Sequence, residues 1–308
     1  MKPVWRGLLY VPKSIVCGIA FMVGQMFGGA VTGALGLPPP VMPQGVDVKQ
    51  MATVSTIASP LFGLLMGPLA AGLGVGFVAR WLVLSLLIWV AYGVNTGLEA
   101  QIFTSFGTWY SIAAMSVLPA LLLGLVLALL FRPCCQVGPF GARARRFFAA
   151  RGAGAWAWRL AAAVLAFPVI YFVFGMMVTP FVVSYYQSGA AGLHLPATGV
   201  LLGVLLLRST LFMLCALPVL IAWAGHRGRL VIALGMALWV TVGLFGMVVA
   251  SWMPQAIRLP HAIEIGADSF AHAAALVLLL VPSGLAAEPA HEAQARPEAG
   301  ATAGGANG

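Results

Sequence analysis

The chain reads as an all-α polytopic integral membrane protein, with about eight transmembrane helices in two four-helix halves and a disordered C-terminal tail. Three observations carry that reading. Hydrophobic residues make up 61% of the sequence and charged ones only 7%, against roughly 25% charged in an ordinary soluble domain. The apolar residues gather into runs that match the roughly 20 helical residues needed to cross a hydrocarbon core. Lysine and arginine concentrate in alternate connections between those runs, the asymmetry that orients helices in a membrane.

These observations exclude a soluble fold. The net charge of +9 does not point to nucleic acid, because the basic residues flank apolar runs in short segments and topology accounts for them. Of the four cysteines, Cys17, Cys134, Cys135 and Cys215, none forms a C-x-x-C pair, so neither a disulfide framework nor a zinc site follows.

A short basic lead precedes the first run, Ile15 to Leu37. That run is too long for a signal-peptide core of about 7–15 residues, so it is expected to remain as a membrane helix. Ala20, Gly24, Gly28, Thr32 and Gly36 recur every fourth residue, a ridge against which another helix can pack closely. The second run, Ala52 to Gly74, contains Pro60, Gly63, Gly67 and Pro68 and predicts a kinked packing helix rather than the broken helix of a transporter. The third, Val78 to Thr104, starts with Arg80 and carries Asn95 and Glu99 one turn apart near its other end; the fourth, Thr108 to Phe131, is apolar.

Between the halves, residues 132–159 interleave Arg143, Arg145, Arg146 and Arg151 with Phe147, Phe148, Trp156 and Trp158. Such a segment is expected to lie on the membrane surface, with anionic lipid against Arg143 to Arg159. The first half is thus 1–131, the second 160–285 and the tail 286–308. The fifth run, Leu160 to Tyr186, ends in an aromatic pair suited to the interface. Its FVFGMM at Phe172 to Met177 echoes FMVGQM at Phe21 to Met26, which suggests a parallel repeat of the two halves. The sixth, Thr198 to Ala224, places Arg208 near its middle, and the seventh, Leu230 to Met253, is apolar and glycine-rich.

The eighth run, Leu259 to Val281, carries the sharpest signal. His261, Glu264, Asp268 and His272 fall near 0°, −60°, −20° and +20° at about 100° per residue, on one narrow helical face. That face cannot look at lipid, because an aspartate at the bilayer centre costs at least ~2.5 kcal/mol. Asn95, Glu99, Arg208, His261, Glu264, Asp268 and His272 are therefore the candidate intramembrane polar site. Arg208 lies about ten residues, or ~15 Å, into its helix and Asp268 about seven, or ~10 Å, so these two are expected to pair, with Glu264 and Glu99 close by.

No motif names a reaction. His291-Glu292 is followed by Ala295 where a zinc protease needs histidine, and neither a phosphate-binding loop nor a G-x-S-x-G elbow occurs. A metal could be held by His261, Glu264, Asp268 and Glu99, although their spacing is no known signature. Counting arginine and lysine puts twelve on the side of the N-terminus and two, Lys49 and Arg258, on the other, so both termini are expected in the cytoplasm, with the protein in a bacterial inner membrane. The expected function is transport, as a carrier or permease-type subunit. The alternatives are a membrane-embedded enzyme using the His/Glu/Asp face of the eighth helix, or a non-catalytic assembly subunit. Lipid and partner subunits are the expected contacts, and nucleic acid is not.

Overall fold

The computed structural model describes residues 9–41, 46–105, 108–133 and 135–283. Within them eight helices are long and apolar enough to span a membrane, and no β-strand occurs among the described residues. They are α1 (Tyr10–Ala34), α2 (Val48–Gly72), α3 (Phe77–Phe103) and α4 (Trp109–Leu130), then, after the surface helix α5 (Phe140–Ala149), α6 (Ala153–Gln187), α7 (Thr198–Ala222), α8 (Arg227–Val249) and α9 (Gln255–Leu280). The expected tail and the first basic residues, Lys2 and Arg6, lie outside the described residues.

Local chemistry explains the ends. Asp47 caps α2, its carboxylate accepting from the Gln50 amide at 2.9 Å, which satisfies one of the free amides of a first turn. A kink follows at Ser59, where Pro60 opens the second segment of α2; proline fits a first helical position because it has no amide to leave unpaired. The helix bends there without unwinding. At the end of α1, Gly36 adopts a left-handed φ of 70° and lets the Leu37 amide reach back to the Thr32 carbonyl, a stop that glycine makes without steric cost. Gly36 therefore ends the helix and does not extend the expected ridge. Gly24 and Gly28 do form a close approach, since a methyl on either would strike the backbone of α4 at Pro119 and Met115. Without a hydrophobic driving force between helices in lipid, such backbone proximity supplies the attraction.

The two halves repeat. Positions 150 apart share Ser59 and Ser209, Leu61 and Leu211, Phe62 and Phe212, Pro68 and Pro218, Trp89 and Trp239, and Gly93 and Gly243. Geometry repeats with them. A π-helical stretch interrupts α3 at Trp89–Val94 and α8 at Val240–Leu244. The Trp89 indole donates to the Ala113 carbonyl, and the Trp239 indole to that of Ala262, each at 2.9 Å. The α2–α3 and α7–α8 turns meet antiparallel, with Gly74 donating to Ala222 and Ala224 to Gly72, both at 2.9 Å. Equivalent segments that bond to each other in opposite directions are what a two-fold relation between halves requires. Buried Cys17 and Gly18 of α1 likewise match buried Phe167 and Pro168 of α6, so the FMVGQM–FVFGMM echo sits one position out of the true register.

At the end of the bundle where α4, α7 and α9 finish, arginines meet the free carbonyls of those helices. Arg80 donates to Ala128 at 3.0 Å, Arg143 to Ile221 and Trp223 at 2.7 and 2.8 Å, Arg151 to Leu280 and Val281 at 2.7 and 3.0 Å, and Arg159 to Leu279 at 2.8 Å. Arg227 also bonds Val281. The last carbonyls of a helix have no partner within it and carry partial negative charge, which cations neutralise. Part of the segment expected at the membrane surface thus packs against helix ends. Arg143 and Arg151 turn inward, Phe147 and Trp156 are buried, and Arg145, Arg146, Phe148 and Trp158 of that motif are exposed. Burial, and then repulsion from Arg159 and Arg227, lowers the pKa of Arg151 from its ordinary value.

Candidate functional site

The site begins with the π-helical stretch of α3. One extra residue in that turn rotates everything after it by about 100° relative to a continuous α-helix, and Asn95, the first residue beyond it, meets α7. There Arg208 donates from Nε to the Asn95 amide oxygen at 2.6 Å and from Nη2 to Glu99 Oε1 at 2.5 Å. Two acceptors one turn apart on one helix match the two donors of a guanidinium, the geometry that favours arginine over lysine. The ring faces of Phe167, Phe212 and Tyr171 stand 5.3, 5.9 and 6.0 Å from the guanidinium carbon, within cation–π range.

Helix α9 supplies a second line of groups. His261 Nδ1 and Glu264 Oε2 are 2.7 Å apart, and the other ring nitrogen, Nε2, is 3.2 Å from the Tyr186 hydroxyl on α6. Deeper along the same face, Asp268 is 6% exposed and its Oδ1 has no hydrogen-bond partner among the described residues. His272, 1% exposed, packs against Phe167 and Phe212 with ring centroids 5.2 and 6.0 Å away, and neither of its nitrogens is bonded within the described chain. Arg208 Nη1 and Asn95 Nδ2 are likewise unpaired there.

All these side chains except Asn95 line one cavity of about 710 Å³. Its charged groups and histidines sit on α3, α7 and α9, while Phe172, Met176, Val178 and Val182 of α6 and Met247 of α8 make apolar wall. The structure thus brings Glu99, Arg208, His261, Glu264, Asp268 and His272 to a single space, with Asn95 behind Arg208. Their pairing differs from expectation in one respect: Arg208 bonds Asn95 and Glu99, not Asp268. The reason is that α7 packs along α3 across the contact between halves, where the fork of acceptors meets the guanidinium directly. The proposed metal set does not assemble either. Among the described residues no three of His, Cys, Asp and Glu converge, because Glu99 is held by Arg208 and His261 by Glu264.

Comparison of the halves shows why the cavity lies where it does. On one side of the relation, Phe21, Phe62 and Tyr92 of the first half interlock with Phe245 of α8, ring centroids 4.4 to 6.0 Å apart. At the positions 150 removed stand Tyr171, Phe212, Val242 and Asn95. Two large rings become Val242 and Asn95, which leaves volume, and Ala58 becomes Arg208, which puts a cation beside it. Tyr171, Phe167 and Phe212 escaped the sequence reading, and Tyr186 figured there only as half of an interfacial pair, since aromatic residues are ordinary in membrane helices. Only the 150-position repeat, which aligns Phe212 with Phe62, could have drawn attention to one of them.

No family model, curated protein or solved structure matches this chain.

Proposed function

We propose that the protein is a carrier or permease-type subunit that binds a small ion or polar molecule in the cavity between α3, α6, α7, α8 and α9. In this reading the arginine-rich end faces the cytoplasm, as positive residues do in inner membranes, and the cavity belongs to the opposite half of the bilayer. The single observation that carries it is a space of about 710 Å³ lined by charged groups that are buried yet incompletely bonded. Buried polar groups ordinarily find partners, and charges at membrane depth normally mark a pathway or a bound ligand.

A carrier must expose its site to both sides in turn. A single cysteine at Ser269, in a background lacking the native cysteines, should react with an impermeant thiol reagent from the cavity side and, in a fraction of molecules, from the basic side. Labelling from one side alone would remove the carrier reading. It would favour a second one, a membrane-embedded enzyme, for which the Tyr186–His261–Glu264 chain is the specific support, since a carboxylate-oriented histidine against a hydroxyl suits proton transfer. That enzyme would lose turnover, but not its fold, in Tyr186→Phe.

A further inference from the structure

We propose that the cavity takes an organic cation with an apolar body, its positive charge seated against the Asp268 carboxylate. The proposal rests on the binding-site reading above and narrows it to a class of ligand. Charge is the first argument. The cavity wall carries three carboxylates, Glu99, Glu264 and Asp268, against one permanent cation, Arg208. Two of the three are already engaged, Glu99 by Arg208 and Glu264 by His261. Asp268 is the remainder, more than nine-tenths buried, with an oxygen bonded to nothing among the described residues. A carboxylate in such a place is satisfied by a cation or by a proton.

The surroundings select among cations. A metal ion needs several converging donors, and no such group of three occurs among the described residues. Instead the same cavity is faced by Phe167, Tyr171 and Phe212, whose ring faces are electrically negative and attract ammonium-type charge. Arg208 already occupies part of those faces at 5.3 to 6.0 Å, which shows that the rings accept a delocalised cation. Anions are disfavoured, because Arg208 directs two of its donors to Asn95 and Glu99 and only Nη1 remains open. The rest of the wall is mostly apolar, methionine, valine and leucine above all, suited to a hydrocarbon body. At about 710 Å³ the space falls in the range, roughly 300–1,000 Å³, of pockets that enclose drug-sized molecules.

The test uses the full chain in detergent and two probes of the same size and shape with opposite charge, tetraphenylphosphonium and tetraphenylborate. Equilibrium binding of the radiolabelled phosphonium should be saturable, with the borate at least about tenfold weaker. Asp268→Asn should weaken phosphonium binding by about tenfold or more, and Asp268→Glu should restore part of it, with each variant eluting as the same species with an unchanged melting temperature. Equal or tighter binding of tetraphenylborate to the unaltered protein would overturn the proposal, whatever the variants do. So would full phosphonium affinity in a folded Asp268→Asn protein. Cation binding with one-sided labelling of the Ser269 cysteine would keep the cation site and remove the carrier; two-sided labelling without charge preference would do the reverse.

Discussion

Arg208 shows how one residue reorganises a membrane interior. Its counterpart in the first half is Ala58, and the counterparts of its partners Asn95 and Glu99 are Phe245 and Val249, so an ion pair on one side of the two-fold relation faces a wholly apolar equivalent on the other. The equivalent contact holds the fold without charge, which means the ion pair is not required for packing helices at this position. Buried pairs are costly to break and often neutral to replace as a unit. Glu99→Ala, which leaves Arg208 buried without its carboxylate, should destabilise the protein by about 3–5 kcal/mol, and Arg208→Met, which leaves the partly exposed Glu99, by less. Combining Arg208→Met with Glu99→Val and Asn95→Phe should recover most of the loss, as measured by denaturation in mixed micelles. Strict additivity of the losses would show that the three side chains do not act together.

At the scale of elements, the paired π-helical stretches matter most. Each begins at or just after a tryptophan whose indole bonds a carbonyl of the following helix, Trp89 to Ala113 and Trp239 to Ala262. The hydrogen bond ties the extra residue of α3 to α4, and that of α8 to α9, so that the rotated segment beyond it is held in place. Trp89→Phe should then cost about 1 kcal/mol, the ordinary net worth of one such bond, and should loosen the Asn95–Arg208 contact. Trp239→Phe should cost a similar amount in stability and disturb the His261 end of α9 instead, because Ala262 is next to His261. Fluorescence quenching of a probe at each end would separate the two effects. If neither substitution lowers stability, the indole bonds do not set these elements. The arginine caps belong to the same scale. They give five of the basic residues at one end a structural role: α4, α7 and α9 finish there, and their carbonyls take Arg80, Arg143, Arg151, Arg159 and Arg227.

For the whole molecule, the consequence of eight spans is an alternation of ends. Single cysteines near Val46, Leu193 and Pro254 should react with an impermeant reagent added outside intact cells, and ones near Gly141 and Gly228 should not. The reverse pattern would turn the cavity toward the cytoplasm and the proposed orientation with it. The two-fold relation adds a picture of how the molecule is built: two four-helix units meeting through α2–α8 and α3–α7, with one of the two equivalent spaces filled by rings and the other hollow and charged.

The amino-acid sequence by itself determined the class, the number of spans and the residues that could not face lipid. Those depend on composition and on helical periodicity, and both are local. The second apolar run and its two prolines, for example, already implied a kinked helix. It also contained the 150-position repeat, in Ser59, Phe62, Trp89 and Gly93 and their partners, although spread thinly among residues that any membrane helix would use. Only the tertiary structure decided which charges meet. The π-helical turn before Asn95 breaks the 3.6-residue count on which a helical-wheel argument depends, so Glu99 rather than Asp268 reaches Arg208. Only the fold, likewise, decided that the arginines of residues 132–159 reach helix ends, because a free carbonyl is a property of where another helix stops. The cavity was illegible for the same reason: it is the difference between Tyr92 and Val242 and between Phe245 and Asn95, pairs that become comparable only when the halves are laid over each other.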